Sequence, residues 1–132
     1  MATTTATVRT TVTDEVPERS SWKYQATMND ENGNAIQQSD IDALTLTVYV
    51  LDDDKTIVNN CEGDDILDVG RGTVGTNNGA LSIRFEPDDS EMIDTSKKRE
   101  THIALIEMTW NSGTKKMAHE VAWTVVNMGR RD

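Results

Sequence analysis

The residues best equipped for chemistry are two histidines, His102 and His119, and one cysteine, Cys61, set among 23 acidic side chains. A structural zinc needs four such ligands converging, and the close pairs that achieve this, Cys-x-x-Cys or His-x-x-x-His, do not occur in the sequence. The histidines fall on the two arms of a hairpin predicted around Asn111-Ser112-Gly113, whose pairing sets His119 opposite a residue near Ile106 and not opposite His102. At about 3.3 Å per residue the two are separated by on the order of 13 Å, too far to share a metal. Each is expected to be a strand residue satisfied locally. The acidic run at 28–39 has the cadence of a calcium loop. Aligning Gly33 with the invariant glycine, however, puts Met28 and Ser39 at the first and twelfth ligand positions, where acids are required. Asp52, Asp53, Asp54, Glu62, Asp64 and Asp65 could gather around a cation, but solvated loops are the better account, so no metal and no cofactor is assigned.

Catalytic signatures are equally sparse. The chain contains no Gly-x-Ser-x-Gly, and Gly70-Arg71-Gly72-Thr73 opens onto no helix and reads as a turn. With 23 acidic residues, adjacent carboxylates carry no information about acid–base pairs. No catalytic residue is named, and the chain reads as non-enzymatic. A formal net charge of -10 repels phosphate and anionic lipid, which argues against nucleic acid and membrane surfaces as partners. Basic clusters at Lys97-Lys98-Arg99, Lys115-Lys116 and Arg130-Arg131 suit strand ends or docking to an acidic protein. A single cysteine and no Asn-x-Ser/Thr acceptor fit a protein folded in a cytosol, and the threonine-rich start lacks the apolar run of a signal peptide.

The elements that must carry these residues are strands. Trp22, Tyr24, Ala26 and Met28 alternate with polar neighbours, and so do Leu44, Leu46, Val48 and Val50, and then Leu81, Ile83 and Phe85. Asn78-Gly79 is a turn signal before the third run, and Pro87 ends it. A short strand is expected around Lys55–Val58, and a loop with short edge strands over 60–76. The longest pair is 101–110 with 117–126. Ala104, Ile106, Met108 and Trp110 share one face with Val121, Trp123 and Val125. Ile103, Leu105, Ala122 and Val126 make the other face partly apolar, so a cover over it is expected. The best helical candidate is a turn or two within Asp89–Lys98. About seven strands without βαβ alternation predict an all-β fold, an antiparallel immunoglobulin-like β-sandwich, with a jelly roll as the other topology.

Residues 1–20 read as an extended N-terminal arm, 21–128 as the β-sandwich domain and 129–132 as a C-terminal tail. Threonine favours extended backbone, and Ala6, Val8, Thr10 and Val12 are the expected assembly contacts, adding to a sheet edge on a neighbour; an unstructured tail is the alternative. Deleting residues 1–18 is then expected to leave a folded domain.

The succession Tyr24–Gly33, Leu44-Thr-Leu-Thr-Val-Tyr-Val50, Gly79-Ala-Leu-Ser-Ile-Arg-Phe85 and Glu100-Thr-His-Ile-Ala-Leu105 resembles small β-sandwich structural proteins of tailed-bacteriophage virions. These include the N-terminal domain of upper baseplate proteins and related neck and decoration modules. The resemblance implies a virion subunit made and assembled in the host cytoplasm. Its partners would be portal, adaptor, capsid or fibre subunits, and its form a homo-oligomeric ring or lattice. It implies a head-to-tail connector or fibre anchor first, and a capsid decoration (cement) protein second. From another class, a carbohydrate-binding or adhesion module is the rival, and it would need exposed aromatic rings.

Overall fold

In the computed structural model the described residues are 8–29, 33–51, 55–67, 71–75, 79–110, 112 and 115–128. Strands form where apolar and polar side chains alternate, because a pleated backbone sends successive side chains to opposite faces and lets one face be buried. Among these residues there are nine: β1 (Val8–Thr11), β2 (Val16–Pro17), β3 (Trp22–Thr27), β4 (Ile41–Val50), β5 (Asp64–Asp65), β6 (Gly72–Val74), β7 (Ala80–Phe85), β8 (Arg99–Trp110) and β9 (Lys115–Val126). The helical content of the described residues is two 3-10 turns, Gln38–Asp40 and Pro87–Ser90. The fold is all-β.

Two sheets result. One runs β1-β9-β8-β4-β5 with β2 also on β9, and the other runs β3-β7-β6. The predicted hairpin pairs Arg99 with Val126 at one end and Trp110 with Lys115 at the other, and it sets Ile106 opposite His119. β4 lies antiparallel on the far side of β8. The expectation of a wholly antiparallel fold is corrected by β1 and β2, which pair with β9 in parallel and make this sheet mixed. A tight turn forces neighbours to be antiparallel, but no turn joins β1 to β9, so its direction is set by its destination. The chain follows β9 from His119 to Val126, then crosses to the second sheet, where β3 begins with Trp22 against Trp123.

The described part of the expected arm is paired within its own chain. Val8–Thr11 and Val16–Pro17 belong to the sheet of their own chain, Val12 N–H donates to the Ala122 carbonyl, and Val16 is buried. Deleting residues 1–18 would remove the strands that pair with β9 on this edge. The helical candidate is shifted: the 3-10 turn falls at Pro87–Ser90, and within 91–98 an isolated turn closes from the Lys97 N–H to the Asp94 carbonyl. Side chains take the backbone groups that a helix would have used. Glu100 accepts the N–H of Ile93 and of Asp94, and the Asn127 amide donates to the carbonyls of Thr95 and Lys97.

One core joins the sheets. Leu44, Leu46, Val48, Ile106, Val121, Trp123 and Val125 from the larger sheet pack with Leu81, Ile83 and Phe85 from the smaller. At its centre the Trp22 ring stacks on Phe85 with centroids 4.5 Å apart, and Trp123 meets both, at 5.2 Å and 4.9 Å. On the outer face of the larger sheet Tyr49, Ile103 and Ala122 are buried, with Ile57 and Leu105 against them. The expected strand at 55–58 supplies part of this cover through a single bridge, Ile57 to Tyr49. Gly79 has φ +68, and a Cβ there would come within 2.3 Å of the Met28 carbonyl oxygen, so the turn before β7 requires glycine.

Candidate functional site

β3 is an edge of its sheet among the described residues. The Met28 N–H donates to the Gly79 carbonyl at 2.7 Å. Strand alternation therefore directs the N–H groups of Trp22, Tyr24 and Ala26 toward β7 and turns those of Lys23, Gln25 and Thr27 outward. Beside this edge a cavity of about 420 Å³ opens between the sheets. Tyr24, Ala26 and Met28 line one side and Thr10, Met117 and His119 the other.

His119 Nε2 lies 3.0 Å from Thr10 Oγ1 and 3.3 Å from the Tyr24 hydroxyl. Hydroxyls donate or accept, so either neutral tautomer is served. Burial pushes the His119 imidazole below its ordinary pKa, with Glu120 acting in the opposite direction. The folded state thus disfavours the proton. The stability this provides is complete above the unfolded value of about 6.5 and is lost as pH falls through the lower folded value. His119→Gln is expected to flatten the acid side of the Tm profile below about pH 6.5. An unchanged profile would show that another group is responsible.

A second polar constellation is buried around Asp89. Its carboxylate accepts from Arg71 Nη1 at 2.6 Å, from the Asn59 amide at 3.1 Å and from the Glu86 N–H at 2.7 Å. Arg71 also pairs with Glu86, so one guanidinium ties the start of β6 to the turn after β7. Burial alone would lower the Arg71 pKa; the Asp89 carboxylate, with Glu86, outweighs this and raises it. On β8, His102 Nδ1 is 2.8 Å from the Asp89 carbonyl and Nε2 is 2.7 Å from Glu100 Oε1. The carbonyl only accepts, so Nδ1 donates to it, and Nε2 faces the Glu100 carboxylate. Trp123 Nε1–H donates to Ser90 Oγ at 3.2 Å. A serine, a histidine and a carboxylate are the parts of an acyl-transfer site, but both His102 nitrogens are already engaged, and neither by Ser90. What this arrangement does is hold three segments together.

Cys61 is buried with its thiol 3.5 Å from the Leu46 carbonyl. Burial, chiefly, pushes the thiol up to about 12; Arg71 opposes this, and Asp64 and Asp89 add to it. At pH 8 the thiolate fraction is on the order of one in ten thousand, so the native protein is expected to resist maleimide or iodoacetamide. Labelling in native buffer at the rate seen in urea would contradict this burial.

Of the expected contact residues, Ala6 lies outside the described residues. Val8 and Thr10 are in register with His119 and Val121 of the same chain, and Val12 packs against the core. Asp52, Asp53, Asp54, Arg130 and Arg131 also lie outside the described residues. Among those described, no three His, Cys, Asp or Glu side chains converge as metal ligands, and no helix is long and apolar enough to cross a membrane. Lys97, Lys98 and Arg99 are exposed, with Arg99 paired to Glu15. The Glu100–His102 pair escaped the sequence reading although a signal existed, since both extend the inward phase of Ala104 and Ile106. Arg71 and Asp89 carried no such signal. Compared with family models, with curated proteins and with solved structures, the chain finds no match in any of the three.

Proposed function

We propose that this chain is a non-enzymatic structural subunit of a tailed-phage virion, an immunoglobulin-like sandwich present in several copies at the head-to-tail connector or a fibre anchor. The observation that carries the reading is a division of labour. His102 and Cys61 are enclosed in the scaffold, while His119 borders a cavity beside the edge of β3 that is open among the described residues. The strand order supports the sandwich topology. β3-β7-β6 facing β4-β8-β9 corresponds to the B-E-D and C-F-G layers of that fold, with the first strands placed beside the last one in parallel. Acidic charge keeps free subunits soluble before assembly.

Mass spectrometry of purified particles from the genome that encodes the chain is expected to find it at several copies per particle. Its absence from particles while abundant in the producing cells would overturn the reading. A ring-sized copy number separates the connector from the capsid-decoration alternative, which needs a lattice-sized one. The carbohydrate-binding rival draws no support from the rings, because Trp110 and Trp123 are buried and Trp22 packs on Phe85.

A further inference from the structure

We propose that the open edge of β3 is an acceptor for the N-terminal segment Met1–Thr7 of a second copy of this chain, which adds there as an extra strand; this rests on the multi-copy reading above. The edge is a good template. β3 pairs with β7 over six residues without a bulge and contains no proline, and it leaves the N–H and C=O groups of Lys23, Gln25 and Thr27 facing outward. Six residues span about 20 Å, and seven extended residues reach about 23 Å.

The direction of the backbone selects the second copy over the chain's own segment. β1 runs parallel to β9, with Val8 level with His119. β3 runs antiparallel to β9, since Trp22 meets Trp123 and Tyr24 meets His119. A strand that continued the β1 register backward from Val8 would run past Met117 toward Lys115, away from Lys23 and Trp22. The chain's own first seven residues would have to reverse to reach that end of the edge, and the turn would consume the residues needed for pairing.

Sequence and surface also match. On one phase the segment offers Ala2, Thr4 and Ala6, small enough for the cavity between Tyr24, Ala26, Met28, Met117 and His119, and on the other Thr3, Thr5 and Thr7 for solvent. An independent sign of a missing partner stands at the far end of the same edge. The Trp22 indole N–H is buried and has no hydrogen-bond partner among the described residues, beside a second hollow of about 420 Å³ lined by Val12, Val16 and Tyr24. An acceptor brought by an incoming strand would satisfy it.

The test uses the full chain, a variant lacking residues 1–7, which retains β1, and a synthetic peptide of residues 1–8. Sedimentation is expected to show concentration-dependent association of the full chain and a monomer for the truncated one. The peptide should bind the truncated chain and protect the amides of Lys23, Gln25 and Thr27 from hydrogen exchange. Gln25→Pro removes an outward N–H that β7 does not use, and it is expected to weaken peptide binding by about tenfold or more while leaving the far-UV spectrum unchanged. A monomeric full chain, a peptide that fails to bind, or protection elsewhere than β3 would each overturn the proposal. Should the proline variant misfold, the exchange pattern alone decides. Absence of the chain from particles would remove the virion role and leave this pairing standing, whereas loss of peptide binding removes the pairing alone.

Discussion

Trp123→Ala is expected to lower the unfolding free energy by about 3–5 kcal/mol, read from urea denaturation followed by circular dichroism. The indole is 1% exposed and is the piece of the larger sheet that touches both Trp22 and Phe85 of the smaller one. Its ring centroid also lies 5.8 Å from that of the His102 ring, the two planes inclined at 62°. Truncation leaves a cavity between two sheets that cannot collapse onto each other while the remaining strands hold their spacing, so little of the cost is recovered by relaxation. Trp123→Phe separates the contributions. It keeps a ring in place but removes the donor to Ser90, and about 1–2 kcal/mol is expected for a lost buried hydrogen bond. A loss below about 1 kcal/mol for the alanine variant would mean that this ring does not tie the layers together.

Arg71→Met should cost about 3–5 kcal/mol, because it leaves the fully buried Asp89 carboxylate with only the Asn59 amide and the Glu86 N–H. Methionine preserves the apolar stem, so the change reports on the charge and its hydrogen bonds more than on packing. Asp89→Asn should cost stability for the converse reason, since Arg71 then keeps only the half-exposed Glu86 as a charged partner. The informative quantity is the double variant. Two side chains in direct contact should show a coupling of about 1–3 kcal/mol, with the pair of substitutions costing less than the sum of the singles. Strict additivity would refute a direct buried clamp between the start of β6 and the turn after β7. A domain of this size is stable by about 5–15 kcal/mol, so either the Trp123 or the Arg71 change removes a large share of the total.

The clamp has a bearing on what the molecule presents to others. Asp89 and His102 fix the turn at Pro87–Ser90, and Glu100 with Asn127 fixes the segment 91–98, so that end of the fold is braced from within. At β3 the opposite holds. The strand is supported on one edge by β7 and, among the described residues, is open on the other, with a cavity beneath its inner face. A surface that is rigid on one side and unsatisfied on the other suits strand addition, in which backbone hydrogen bonds give affinity and alternate side chains give selectivity.

How much of this was legible in the chain can be read from particular residues. The strands at Trp22–Thr27, Ile41–Val50, Ala80–Phe85 and the closing hairpin follow from alternation, and the opposition of Ile106 and His119 follows from the position of Asn-Ser-Gly. Those signals are local, carried by neighbours two residues apart or by a turn. The burial of Glu100 and His102 was half legible, as polar residues on an apolar phase. The pairing of Val8–Thr11 with β9 was not, because Val8 and His119 meet only after the whole chain between them has folded. The same is true of the ion pair between Arg71 and Asp89 and of the open edge at β3.

By itself, then, the sequence determined that this protein is built of strands, where most of them run, and that its tryptophans belong to a core, since period-2 patterning and turn chemistry act over a few residues. Only the tertiary structure decided that the first strands run parallel to the last, that the polar groups around Asp89 are enclosed, and that one edge of β3 is unpaired among the described residues. Which edges meet depends on contacts between distant segments, and no local pattern encodes them.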